Sequence, residues 1–119
     1  MKKPLLLLLA ILSSSLMFSQ LNENANTLKT EKPETYQKIK TFAEQDWKGD
    51  HRMMVYKINK QADALFEIHT KFTQAKDYDE KILVNAYSNW STKINGTTYY
   101  DYTMILYEYK KEIKAKNQY

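Results

Sequence analysis

STKINGTTYYDYTMILYEYKKEIKAKN, residues 91–117, is the stretch whose reading separates two fold classes. Its first ten residues carry the marks of a β-hairpin. Asn-Gly, here Asn95-Gly96, tolerates the positive φ angles of a two-residue turn, and Thr97, Thr98, Tyr99 and Tyr100 favour extended backbone. The remainder carries helical spacing, because Ile105, Tyr109 and Ile113 recur every four positions and share one helix face.

The rest of the chain decides between these readings. Residues 101–117 align without a gap on residues 50–66, DHRMMVYKINKQADALF, with Asp50/Asp101, Met53/Met104, Tyr56/Tyr107, Lys60/Lys111 and Ala64/Ala115 identical. Residues 37–47, QKIKTFAEQDW, align in the same way on residues 80–90, EKILVNAYSNW, sharing Lys38/Lys81, Ile39/Ile82, Ala43/Ala86 and Trp47/Trp90. The offsets are 51 and 43 residues, so the second copy holds eight extra residues between its two segments. A repeat of this period marks duplicated supersecondary units. Since residues 50–66 read as helix, the repeat predicts helix from about residue 98 to 116 and overrules the hairpin.

Working outward, Pro33 suits a first helical turn, and Tyr36, Ile39, Ala43 and Trp47, with Phe42 alongside, make one apolar face. Gly49 suits a left-handed C-terminal cap, and Asp50 an N-cap of the next helix. That helix spans about residues 51–75, with Met54, Ile58, Ala62, Leu65 and Phe72 inward and His69 among them. After a break at 76–79, a third helix runs over about 79–91, with Ile82, Leu83, Ala86 and Trp90 inward. Gly49 and Gly96 are the chain's two glycines, and both fall at expected links between helices. The expected fold is all-α: two repeated αα-hairpins, 33–75 and 79–117, packed as a small four-helix bundle. The competing arrangement is α+β, with a C-terminal β-hairpin around Asn95-Gly96.

The N-terminus reads as a secretory signal peptide over residues 1–19. Lys2 and Lys3 precede an apolar run from Leu5 to Leu12 and then small residues, with cleavage expected after Ser19. The run is shorter than the ~20 residues a spanning helix needs. Residues 20–32 are polar and lack apolar periodicity, which predicts a flexible lead-in. The chain has no cysteine, so the fold rests on a packed core without disulfides, and a cysteine-linked lipid anchor is excluded. Secretion or a periplasmic location is the resulting expectation. Without Lys2 and Lys3 the net charge falls from +4 to +2, too even for a nucleic-acid surface, and the basic C-terminal turn complements a helix dipole.

The repeated columns give the candidate functional residues. Met53, Tyr56 and Lys60 lie on a stripe of their helix distinct from the core face, and Met104, Tyr107 and Lys111 repeat that stripe. Two readings compete. In one, these residues pack against Trp47 and Trp90 within each hairpin, with the lysines solvated. In the other, each hairpin presents a Met–Tyr–Lys patch to a partner, since Tyr and Met are enriched at interfaces. Ten tyrosines and two tryptophans also suit stacking on sugar rings or on protein. Pairing of two chains through the Met53/Met104 stripe, a homodimer, is a further arrangement the pattern allows.

Cofactor and enzyme readings are weaker. His51 and His69 stand eighteen residues apart, about 27 Å along a straight helix, and cannot share an intramolecular metal. No Glu-x-x-His pair of the di-iron bundles occurs. A haem held by His69 and Met104, or copper by His51, Met53 and Met54, would need only residues the chain has. No cofactor or metal is expected, and no nucleophile elbow, phosphate-binding loop or catalytic cysteine is found. Asn89-Trp90-Ser91 and Asn95-Gly96-Thr97 match the glycosylation pattern incidentally. The expected function is binding, through protein–protein or envelope contacts. The alternative is a periplasmic carrier of a haem or small apolar ligand.

Overall fold

The structure is a computed structural model, and it describes residues 20–74 and 78–118. The expected signal peptide, with its cleavage point after Ser19, lies outside the described residues, as do Lys76 and Asp77 of the expected break. Five helices and one two-stranded sheet are present among the described residues: α1 (Glu23–Glu31), α2 (Pro33–Trp47), α3 (His51–Gln74), α4 (Glu80–Asn89), β1 (Ser91–Ile94), β2 (Thr97–Tyr100) and α5 (Tyr102–Lys116). The protein is predominantly helical with a small sheet.

Helix α1 corrects the expected lead-in. It carries only two inward residues, Ala25 and Leu28, too few to register as periodicity, yet both are buried. Polar contacts add to this apolar hold on α3. Asn22 caps α1 through the Ala25 amide, its own amide donates to Asn59 Oδ1 at 2.8 Å, and Asn22 and Asn24 both donate to Asp63. Lys32 N donates to the Leu28 carbonyl, and Pro33, which has no amide to leave unpaired, opens α2.

Helices α2 and α3 are joined by Lys48-Gly49-Asp50. Gly49 adopts φ +90°, the left-handed conformation expected of it, and the Asp50 carboxylate accepts from Met53 N. An ion pair between Lys57 and Asp46, with Lys57 Nζ 4.2 Å from the Phe42 ring centroid, fixes the antiparallel pairing.

Helix α3 serves two cores because it has two apolar strips. Ile58, Ala62 and Leu65 pack with Ala25, Leu28, Tyr36, Ile39 and Ala43 of α1 and α2. Ala64 and Ile68 pack instead with Leu83, Ala86, Ile105, Leu106 and Tyr109 of α4 and α5. Tyr102 touches both clusters. Of the expected inward residues, Phe72 is 46% exposed and Trp47 38%, since each lies near an end of its helix, Phe72 at the edge of the second core with its ring against Tyr78.

The C-terminal third corrects the expected helix at 98–116. Residues 97–100 form a strand paired with β1 in the register Ser91↔Tyr100 to Ile94↔Thr97. The turn has Asn95 at φ +51° and Gly96 at φ +83°, signs that match the right-handed twist of the flanking strands. Gly96 therefore belongs to a hairpin turn and not to a link between helices. Tyr100 seats the hairpin on the helices, its ring 5.2 Å from Tyr87 and 6.1 Å from Tyr102. The eight extra residues of the second half are thus absorbed by the hairpin, and helix resumes at Tyr102. Asp79 binding Lys116 and Asn89 binding Glu108 make α4 antiparallel to α5. Gln61 meeting residues 101–103 and Glu67 meeting Lys110 set α5 running in the same direction as α3.

Candidate functional site

The six residues that the repeat picks out occupy corresponding places at the starts of α3 and α5. Each helix is opened by an aspartate whose carboxylate accepts from the amide three residues on: Asp50 from Met53 at 3.1 Å, Asp101 from Met104 at 3.2 Å. Each aspartate's own amide donates to the carbonyl of the preceding tryptophan, Asp50 to Trp47 at 2.9 Å and Asp101 to Trp90 at 3.0 Å. The same closure therefore spans a two-residue link in one case and a whole hairpin in the other.

Beyond these caps the helical repeat sets how far each side chain is exposed. Met53 and Met104, in the first turn, are half-buried. Tyr56 and Tyr107, one turn on, are 55% and 59% exposed, and Lys60 and Lys111 are exposed. Neither tyrosine is core. Lys60 Nζ lies 5.5 Å from the Tyr56 ring centroid, within cation–π range. Arg52, with Asp50, Met53 and Tyr56, lines an open hollow at the α2–α3 junction. The paired tryptophans differ: Trp47 is partly exposed, whereas Trp90 packs on the second core with its Nε1–H buried and without a hydrogen-bond acceptor.

Gln61 is a residue that sequence reasoning missed, although it interrupts the apolar run Ile58, Ala62, Leu65. It is 2% exposed, donates to Asp101 Oδ1 at 2.8 Å and Thr103 Oγ1 at 3.2 Å, and accepts from Tyr102 N at 2.7 Å. It thereby fastens the first turn of α5, and with it Met104 and Tyr107, to the middle of α3.

The fold does not bring His69 and Met104 to one cleft. His69 lines a cleft of about 150 Å³ between α1 and α3, with Thr27, Leu28, Glu31, Lys32, Leu65 and Phe66. Met104 is not among its walls, and sites for drug-sized ligands run to roughly 300–1,000 Å³. Among the described residues no group of three or more His, Cys, Asp or Glu is placed to hold a metal.

A few titratable groups are shifted away from neutral pH. Burial pushes Tyr102 up to about 12, with Tyr87 and Tyr100 adding to it, and burial also raises Tyr87. The Lys116 hydrogen bond, then the Ile82 amide, hold Asp79 below the usual carboxylate value. Comparison with protein-family models, curated proteins and solved structures finds no match.

Proposed function

We propose that the protein is an exported interaction module that binds another protein or a cell-envelope component through the Met53–Tyr56–Lys60 and Met104–Tyr107–Lys111 surfaces. The observation that carries this reading is the exposure of Tyr56 and Tyr107, 55% and 59%, at the same step from a capping aspartate. Core packing does not account for a large ring kept at the surface twice in one chain, whereas a ring with apolar area and a polar tip suits an interface.

The same reading takes the two halves as duplicated αα-hairpins that close on each other as a bundle, α2–α3 and α4–α5, the second interrupted by β1 and β2. Matching caps, matching Trp–Asp closures and the full burial of Ala43 and Ala86 support it. Export rests on the Lys2-Lys3 and Leu5–Leu12 pattern of the sequence.

Substituting Tyr56→Ser or Tyr107→Ser is expected to change stability by no more than about 0.5 kcal/mol. Native mass spectrometry of the protein taken from its own host should show a second polypeptide that the double variant loses. A large stability loss in both single variants, or a co-purifying small molecule in place of a polypeptide, overturns the reading.

A further inference from the structure

We infer that the two tyrosine surfaces are one continuous face, which docks a single acidic segment of a partner protein. This rests on the binding function proposed above and adds its geometry and the chemistry of its occupant.

The geometry rests on helical spacing and one ion pair. Tyr56, Lys60, Asp63 and Glu67 recur at four, three and four residues, so they form one stripe along α3. Tyr107, Lys110, Lys111 and Lys114 recur at three, one and three and form a stripe along α5, all four exposed. Lys110 Nζ meets Glu67 Oε1 at 2.9 Å, so the two stripes touch edge to edge. Because α3 and α5 run in the same direction, with Gln61 level with Tyr102, Tyr107 lies roughly 12–15 Å along the axis from Tyr56, at 1.5 Å per residue. One extended peptide of about four or five residues, or about ten residues of helix, covers that span.

Charge selects the occupant. Arg52, Lys60, Lys110, Lys111 and Lys114 give the face its positive excess. Asp63 is engaged by Asn22 and Asn24, and Glu67 by Lys110. The face is therefore basic but carries the carboxylates of Asp50, Asp63 and Glu67, which repel a uniform polyanion and are tolerated by a protein segment that places its acids opposite the lysines. Met53 beside Tyr56 adds apolar area of the kind protein interfaces use.

The test places a photoreactive benzophenone amino acid at position 56 or 107 of the full chain in its host, with position 84 as control, Val84 being 58% exposed on α4. Both positions should cross-link to the same polypeptide, at an Asp/Glu-rich segment, with position 84 silent. Lys111→Glu should lower the yield from position 56 at least about tenfold, and Lys60→Glu the yield from position 107, because each reversal acts across one shared face. Different polypeptides at the two positions, or charge reversals that act only on their own helix, overturn the shared face and leave the binding function standing. Retention of the purified protein on alginate, lost in both charge variants, identifies an anionic polysaccharide and overturns the acidic segment. A product of twice the chain's mass identifies a second copy and overturns it too. Silence at both positions removes the face and the binding function together.

Discussion

Gln61 lies at the centre of α3, and its amide directs both of its functions to another element, donating to Asp101 and Thr103 and accepting from Tyr102 N. Truncation removes the partner of the part-buried Tyr102 amide and one donor to Asp101, so Gln61→Ala is expected to cost about 1–3 kcal/mol in chemical denaturation. A cost below about 0.5 kcal/mol would mean that the α5 start holds itself. The sequence offers only a polar residue amid an apolar run, since which side chain Gln61 meets depends on a segment forty residues away. Tyr56 and Tyr107 are legible only in part: helical spacing sets them on a stripe apart from the core face but leaves packing against Trp47 and Trp90 open, and only the structure shows both rings exposed. Tyr102 is not legible: its burial comes from the hairpin bringing Tyr100 against Tyr87. With a folded pKa of about 12 against an ordinary value of 10.0, Tyr102 keeps its proton where the unfolded chain releases it. Its contribution is therefore complete below pH 10.0 and lost as pH rises through about 12. Tyr102→Phe should flatten the alkaline limb of a Tm-versus-pH curve.

At the scale of elements, the two capped helix starts can be compared directly. Asp50→Ala should cost about 1 kcal/mol, the usual loss of an N-cap. Asp101→Ala should cost more, about 2–3 kcal/mol, because it also strips a partner from buried Gln61. Equal losses measured by denaturant titration would show that the Gln61 bond contributes little. Helix α1 is the element that hydrophobic patterning misses: two buried apolar residues in nine give no period, and asparagines hold it to α3. Leu28→Ala is expected to cost about 2–4 kcal/mol, as for other buried leucines. A flexible lead-in would register almost no change. In the hairpin, a Cβ on Gly96 would meet nothing within 4 Å, so the cost of Gly96→Ala is conformational, about 1 kcal/mol for holding φ near +83°. The hairpin is visible locally in Asn95-Gly96 and the threonine–tyrosine run. Extending the repeat back past Asp101 hides it, although aligning Asp101 on Asp50 already marks where helix begins.

At the scale of the molecule, α3 is the shared wall of two small cores, and its second apolar strip exists because α4 and α5 come to cover Ala64 and Ile68. The second core is closed at its far end by Asp79, which caps α4 through Ile82 N and receives Lys116 at 2.6 Å. With its folded pKa lowered by these bonds, Asp79 stabilises the fold above the ordinary carboxylate value, and that contribution is lost as pH falls through the lower folded value. Asp79→Asn should therefore flatten the acid limb of the same Tm curve and, because the Asp79 hydrogen bond and charge also raise Lys116, part of its alkaline limb. By itself the sequence determined the helices α2, α3 and α4, the body of α5 and the Gly49 and Asp50 caps, because each is set by spacing along a single element. Tertiary structure decided α1, the survival of the hairpin, the pairing of Gln61 with α5 and the meeting of Glu67 with Lys110. Those depend on polar and aromatic contacts between residues far apart in the chain, which periodicity along one segment does not encode.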